Sequence, residues 1–364
     1  MCCYMFRYNG LLQIMYPTNI HAIHIELTDK CQAACPMCAR NNSGGSERPF
    51  IKNKEISFEN FKQWFPVEFL KNINNFYSCG NYGDPVFATD CFEIYEYVRN
   101  ASPDARLAIH TNGSLRKPDW WKQLAKVMGV NGEVIFAVDG FKGKHELYRR
   151  NTDFDKIIEN IKAYVSAGGI AKVDSLVFKH NEHEVDDLEK FLLGIGVHSV
   201  NFKSTKRFYD MPSFSVFDRK DEYDYDLYPA ETLRFKQEVK IPLENLLDKK
   251  FIKQIVNQST INPSCVSKQE IYVDPHGNIF PCCYIGSDYL EELLSEKIIL
   301  HTLRNLTVDN TKKMMSDVGV LNLHGTTVCD LLTPGTWSKL ENYWQGENKC
   351  LTCVKNCSSQ LYDL

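Results

Sequence analysis

Short apolar stretches followed by amphipathic segments recur along the chain from residue 23 to about residue 203. This alternation is typical of β-strands joined by α-helices. The predicted strands cover residues 23–27, 75–79, 107–110, 134–138, 173–178 and 199–203. One predicted helix occupies residues 57–70, with Ser57 as its N-cap. The clearest helix starts near Phe154 and ends before Gly168, a residue type that often follows a helix.

Six strand–helix units in succession predict a parallel sheet with helical crossovers. The pattern stops after the sixth unit, so we expect an α/β fold with a partial (βα)6, TIM-like barrel instead of a closed eightfold one. A barrel of this kind leaves room for a larger substrate at its open side.

The chain after about residue 207 lacks the alternation of strands and helices, and its sequence indicates two further regions. The run from Asp218 to Tyr228 is charged and aromatic, which favours a solvated connector over the alternative of a substrate-contacting insertion. After residue 263, two short strands around the turn 275–278 predict a small α+β domain of a β-hairpin plus helices. The predicted division is an N-terminal extension at 1–20, the barrel at 21–207, the connector at 208–262 and the small domain at 263–364.

Composition narrows the classes of function. A chain of 364 residues that is 43% hydrophobic can bury a large core, and its formal charge of −4 gives no reason to expect a nucleic-acid partner. No run of about 18 apolar residues predicts a membrane span. The 14 cysteines are clustered, which indicates metal ligands in a reducing, cytoplasmic compartment. Cys2, Cys3, Cys79 and Cys91 fall outside the clusters and are interpreted as structural thiols.

The first cysteine group directly follows the first predicted strand. Cys31, Cys35 and Cys38 have the spacing C-x3-C-x2-C and can hold three irons of a cubane iron–sulfur cluster, with no fourth cysteine nearby for the last iron. A zinc site would more often show paired C-x2-C motifs or histidine. Zinc and purely structural cysteines remain the alternatives.

A second group supplies four thiols to the predicted small domain. Cys265, Cys282, Cys350 and Cys353 form a complete ligand set for a saturated cluster, which could transfer electrons or stabilise the domain. A structural zinc ion at the same positions is the alternative. Further candidate ligands are Cys283, Cys329 and Cys357.

The first cysteine spacing resembles the radical S-adenosylmethionine (radical SAM) superfamily, and the second group resembles the SPASM and twitch extensions of that superfamily. The resemblance implies a [4Fe–4S] cluster that binds SAM at Cys31, Cys35 and Cys38, together with one auxiliary [4Fe–4S] cluster. The second cysteine group of this sequence departs from the full SPASM pattern, which has seven cysteines. The resemblance also implies an electron donor such as flavodoxin or ferredoxin.

The resemblance further implies residues that bind SAM. Those after the second strand stand where the family carries Gly-Gly-Glu-Pro, and others follow the third and fourth strands. The complete set is Tyr82, Gly83, Asp84, Pro85, Thr111, Asn112, Asp139 and Arg149. Two positions depart from the family: Met37 replaces an aromatic residue, and Ala137 replaces a frequent serine.

The function implied is reductive cleavage of SAM to a 5′-deoxyadenosyl radical that abstracts a substrate hydrogen. Two substrate classes stay open, a peptide to be modified and a small molecule such as a sugar or aminocyclitol to be dehydrogenated. Only about twenty residues precede the first strand, which argues against a leader-peptide-binding domain there. A non-catalytic, metal-stabilised binding protein is the alternative from another class, and no catalytic acid or base is identified.

Overall fold

The computed structural model describes residues 19–208, 211–236, 245, 248–291, 299–346 and 348–358. The predicted N-terminal extension, including Cys2 and Cys3, therefore lies almost entirely outside the described residues. Among the residues that are described, no helix is both long and apolar enough to cross a membrane.

A parallel sheet forms the centre of the molecule. Its first six strands lie side by side in chain order, each parallel to the next. They are β1 Ala22–Ile25, β2 Asn75–Cys79, β3 Arg106–Thr111, β4 Gly132–Ala137, β5 Ile170–Val177 and β6 Ser199–Ser204. The prediction of an α/β fold with a parallel sheet is confirmed, and the arrangement is consistent with a partial barrel.

Helices connect these strands. They are α1 Phe58–Trp64, α2 Val67–Leu70, α3 Cys91–Ala101, α4 Pro118–Met128, α5 His145–Tyr148, α6 Phe154–Ser166 and α7 Val185–Gly194. In α6 the Asp153 side chain accepts a hydrogen bond from the Lys156 N–H and caps the helix. Ile157 and Ile161 of the same helix are fully buried in the core against the sheet, as their helical spacing predicts.

The prediction of a single helix over residues 57–70 is wrong, because the segment forms two helices. The structure divides it into α1 and α2, and Pro66 stands between them as the N-cap residue of α2. Proline has no backbone N–H to donate and disfavours helical conformation in the residue before it, so a helix commonly ends at this point.

The run from Asp218 to Tyr228 is more structured than a solvated connector. It contributes to an antiparallel hairpin of β7 Phe214–Phe217 and β8 Tyr223–Leu227. Tyr223 at its tip is exposed, but Val216 and Leu227 are buried in one apolar cluster with Cys35. The Phe217 N–H also donates to the Ser43 carbonyl at 3.0 Å, so the hairpin lies against the loop that carries the first cysteine group.

The C-terminal segment, residues 263–358, extends the central sheet. Its strands are β9 Glu270–Val273, β10 Asn278–Phe280 and β11 Leu321–Asn322, and β9 pairs in parallel with β1. The result is one nine-stranded sheet in the order β11-β10-β9-β1-β2-β3-β4-β5-β6. The helices from residue 249 onward are α8 Lys249–Gln258, α9 Ser264–Ser267, α10 Cys283–Leu290, α11 Ile299–Val318, α12 Val328–Leu331, α13 Leu340–Gln345 and α14 Leu351–Cys357.

Candidate active site

The loop of residues 31–38 leaves β1 at the edge where the parallel strands end. Cys35 is buried, and Cys31 and Cys38 are half-buried. Two turns shape this loop: the Cys38 N–H donates to the Cys35 carbonyl at 3.1 Å, and the Asn41 N–H donates to the Cys38 carbonyl at 3.1 Å. The buried Arg40 guanidinium ties the loop to the Asp29 carbonyl. The three predicted cysteines therefore stand on a short segment that is fixed at its base.

The loop of residues 80–85 follows β2 and touches the base of the 31–38 loop. A Cβ atom on Gly83 would stand 1.8 Å from the Thr28 carbonyl oxygen, so only glycine permits this approach. The Asp84 N–H donates to the Lys30 carbonyl at 2.9 Å, one residue before Cys31. Tyr82, Asp84 and Pro85 are buried and Gly83 is half-buried, so the predicted SAM-binding loop adjoins the first cysteine group.

Asp84 joins this loop to the end of β3. Its carboxylate accepts hydrogen bonds from the Thr111 hydroxyl at 2.8 Å, the Asn112 N–H at 2.7 Å and the Asn112 side-chain amide at 2.5 Å. The same amide lies 3.9 Å from the Cys31 sulfur, and Gln32 donates to the Asn112 side-chain oxygen at 2.7 Å. Residues predicted from two different strand ends thus meet beside Cys31.

Asp139 and Arg149 approach the 31–38 loop from the end of β4. The Arg149 Nε donates to the fully buried Asp139 carboxylate at 2.6 Å, and a terminal nitrogen of the guanidinium lies 3.9 Å from the Cys35 sulfur. The second Asp139 oxygen accepts from the Leu176 N–H at 2.7 Å. The eight predicted SAM-binding residues therefore lie at one edge of the sheet, where Asn112 lies beside Cys31 and Arg149 lies beside Cys35.

The thiols of this loop lie close enough to influence one another's protonation. Burial raises the pKa of Cys31 well above its usual value, and the negative charges of Asp84, Cys35 and Cys38 raise it further. Burial likewise raises the pKa of Cys35 to about 11, although the neighbouring Arg149 charge acts in the opposite direction. A bound metal centre would supply the positive charge that three adjacent thiolates require.

The donor set of the 31–38 loop consists of three thiols, the ligand type of iron–sulfur clusters. Within the described parts of the chain, no three His, Cys, Asp or Glu side chains are placed to hold one metal ion. A cubane distributes its cysteine ligands over separate irons, whereas one zinc ion draws all its ligands to about 2 Å. The three neighbouring thiols of Cys31, Cys35 and Cys38 could serve as ligands of such a cluster.

The C-terminal segment gathers its own cysteines. Cys265, Cys350 and Cys353 are buried, and Cys282 is half-buried. A hydrogen bond between two of these thiols lowers the pKa of Cys350 and raises that of Cys353, which burial and the charges of Cys350, Cys282 and Cys265 raise further. The structure therefore places Cys353 near the other three predicted auxiliary ligands.

The three alternate cysteines occupy different positions. The Cys357 sulfur lies 3.7 Å from the Ser264 hydroxyl, and after burial its charge is the largest influence that raises the pKa of Cys265. Cys283 instead has Cys79 as its strongest charged neighbour, and Cys329 is exposed. Cys357 thus lies beside the predicted set, whereas Cys283 faces the end of β2.

Charged side chains of β4, β5 and β6 form ion pairs with one another. Along β5, Ala171 and Val173 are buried in the core, while Lys172 and Asp174 alternate with them and are half-buried. The Lys172 ammonium pairs with the Glu133 carboxylate at 2.6 Å, and the Lys203 ammonium pairs with Asp174 at 2.7 Å. Charged side chains of three adjacent strands are therefore paired with one another along the sheet.

One buried carboxylate was missed from the sequence. Glu26 at the end of β1 is inaccessible to solvent and accepts hydrogen bonds from the Tyr82 and Gly83 N–H groups at 2.6 and 2.9 Å. Burial raises its pKa to about 7, although its hydrogen bonds to Tyr272, Tyr82 and Gly83 oppose the rise. An acidic residue in the apolar stretch of residues 23–27 was the signal available for it.

Comparison with known proteins agrees with this geometry. Residues 25–192 match the model of the Radical SAM superfamily. The structure of native anSMEcpe with bound AdoMet is similar to this chain with a TM-score of 0.50 and 14% identity, over 94% of this chain and 90% of that chain. At this identity the similarity shows the fold.

Two further solved structures are similar. Streptococcus suis SuiB aligns with a TM-score of 0.45 and 13% identity over 74% of this chain and 61% of that chain, so this chain spans less than two thirds of SuiB. BtrN in complex with AdoMet and 2-DOIA aligns with a TM-score of 0.42 and 13% identity over 93% of this chain and 92% of that chain.

Arg149→Met is expected to lower the free energy of unfolding by about 3 kcal/mol, because the buried Asp139 carboxylate loses its ion-pair partner. Urea denaturation of the metal-free protein under anaerobic conditions measures the change. Lys179→Met is the matched control, since Lys179 and Glu231 form an exposed pair, and its midpoint should equal that of the wild type. Equal midpoints for Arg149→Met and the control would contradict the prediction.

Proposed function

We propose that this chain is a radical SAM enzyme that binds a [4Fe–4S] cluster at Cys31, Cys35 and Cys38. One observation carries the proposal: Asn112 lies beside Cys31 while Arg149 lies beside Cys35, so the predicted SAM-binding residues surround the cysteines from two strand ends. The cluster would supply one electron, received from a donor such as flavodoxin or ferredoxin, that cleaves SAM to methionine and a 5′-deoxyadenosyl radical. That radical would abstract a substrate hydrogen.

The residues of this chain would bind and orient SAM. The Asp84 carboxylate, already close to Asn112, supplies negative charge for the ammonium group of the methionyl moiety. The Arg149 guanidinium supplies positive charge for its carboxylate, with Asp139 fixing the arginine in place. Both charged groups are fixed before SAM binds, which reduces the entropy cost of orientation.

A second cluster is proposed at Cys265, Cys282, Cys350 and Cys353, in a domain of the SPASM or twitch type. The support is the mutual proximity of these thiols in the C-terminal segment. Such a cluster could accept the electron that remains on the substrate, and the net reaction would then be an oxidation or a bond formation. The proposed compartment is reducing and cytoplasmic, where thiols persist as metal ligands.

For the substrate we favour a small polar molecule over a peptide. The ion pairs Lys172–Glu133 and Lys203–Asp174 put charged donors and acceptors on adjacent strands of the sheet, and such groups could bind the hydroxyl or amino groups of a substrate. Peptide modification remains the second candidate. Turnover assays with hydroxylated or aminated small molecules, read by loss of substrate hydrogen to 5′-deoxyadenosine, distinguish the two.

Anaerobic reconstitution tests the enzymatic function itself. The expected result is about eight irons per chain, as two [4Fe–4S] clusters require, and 5′-deoxyadenosine formed from SAM when dithionite is added. Bound zinc with no cleavage of SAM would overturn the proposal and support a metal-stabilised binding protein.

A further inference from the structure

The 80–85 loop is held by side chains that belong to, or are bound by, the C-terminal segment. One oxygen of Glu26 accepts from the backbone N–H groups of Tyr82 and Gly83 at 2.6 and 2.9 Å. The other accepts from the Tyr272 hydroxyl on β9 at 2.5 Å. Glu26 therefore connects the backbone of this loop to a strand of the C-terminal segment.

The Tyr82 side chain makes a second connection. Its hydroxyl donates to the Ser287 carbonyl at 2.8 Å and lies 2.8 Å from the Ser287 hydroxyl, within α10. This helix begins immediately after Cys282, one of the proposed auxiliary ligands. The Asn81 amide adds a hydrogen bond of 3.3 Å to the Cys283 carbonyl. The segment around Cys282 thus reaches the loop through the first turns of α10.

The opposite side of the loop contacts the first cysteine group. Asp84 bonds through its N–H to the Lys30 carbonyl and through its carboxylate to Asn112, whose amide lies beside Cys31. A continuous set of contacts therefore runs from α10 through the 80–85 loop to the predicted SAM cluster. Tyr82 and Glu26 are both almost inaccessible to solvent, so water cannot replace their hydrogen bonds at low cost.

We propose that Glu26 and Tyr82 are positioning residues through which the C-terminal segment holds the 80–85 loop in the conformation that binds SAM. The inference rests on the proposed function, because it assigns SAM to this loop. Loss of either connection leaves the cysteines intact but allows the loop to leave the geometry set by Thr28 and Lys30. The affinity for SAM then falls by the fraction of molecules in which the loop is displaced.

The test compares SAM affinity in reconstituted, iron-loaded variants by anaerobic calorimetric titration. Tyr82→Phe removes one hydroxyl, and Glu26→Ala removes the acceptor for two N–H groups. Each is expected to raise the dissociation constant for SAM about tenfold, the size expected for a hydrogen bond lost from a buried site. Glu26→Gln keeps an oxygen for both N–H groups and should restore affinity to within about threefold of the wild type.

Tyr95→Phe separates positioning from general stability. Tyr95 is fully buried and its hydroxyl donates to the Ala108 carbonyl at 2.7 Å, but it belongs to α3. It should lower the melting temperature about as much as Tyr82→Phe does, with SAM affinity unchanged. Wild-type affinity in both Tyr82→Phe and Glu26→Ala would overturn the inference, as would an equal loss of affinity in Tyr95→Phe. Iron-loaded wild-type protein that binds no SAM would instead overturn the proposed function.

Discussion

A Cys35→Ala variant is expected to lose about four of about eight irons per chain and all production of 5′-deoxyadenosine. Cys35 is the buried middle member of the first group, and its removal leaves only two protein ligands for the proposed cluster, in which one iron has no cysteine. The side chain is small, so the alanine substitution should cost little packing energy. Iron and sulfide assays, together with chromatography of the SAM products, measure both effects after anaerobic reconstitution.

Cys91→Ala is the matched control for this experiment. Cys91 is also buried, but it lies in the hydrophobic core at the start of α3. This variant should retain about eight irons and cleave SAM at the wild-type rate. Full iron content and SAM cleavage in Cys35→Ala would disprove the assignment of the first cluster.

A Cys353→Ala variant is expected to lose the other half of the iron while it keeps the SAM-binding cluster. Cys353 is buried next to Cys350 and near Cys282 and Cys265, so its removal breaks the proposed set of four ligands. The remaining iron should still support one cleavage of SAM per added electron. Complete turnover should be lost if the second cluster accepts the substrate electron. Iron analysis and electron paramagnetic resonance of the reduced protein measure the remaining cluster.

Cys283→Ala provides the comparison, because Cys283 is adjacent in sequence to Cys282 but has Cys79 and Glu270 among its charged neighbours. It should keep about eight irons. Loss of four irons in Cys283→Ala, with none lost in Cys353→Ala, would show that the ligand set is different. Cys357→Ala then decides whether the sulfur beside Ser264 replaces one of the four.

Local patterns in the sequence were sufficient to predict many of the helices and strands of the central sheet. The α6 helix could be placed because its apolar spacing, its Asp153 cap and the following glycines all act within a few residues. The strands of the parallel sheet were found within a few residues of their ends for the same reason. Pro66 shows the limit of periodicity, since the apolar stripe continues past the point where the backbone cannot remain helical.

The sequence predicts the candidate ligands of the site but not the residues that support the loops around them. Cys31, Cys35 and Cys38 are close in the chain, so their spacing alone indicates a shared centre. The proposed role of Glu26 was not predicted from the sequence, because it depends on Tyr82 and Tyr272, which are distant from Glu26 in sequence. The β7–β8 hairpin was not predicted from the sequence, because its exposed, charged tip resembles a connector. Val216 and Leu227 become buried only against the 31–38 loop.

The sequence by itself determined the strand–helix order, the two cysteine groups and the residues at the strand ends, because spacing and periodicity are properties of neighbouring residues. Only the tertiary structure decided that β9 pairs with β1 and that Tyr272 reaches Glu26 across 246 positions in the chain. Many apolar strands could occupy that edge of the sheet, and the choice among them depends on the packing of the whole molecule. For the same reason, only the fold could show that the C-terminal segment supports the loop beside the first cysteine group.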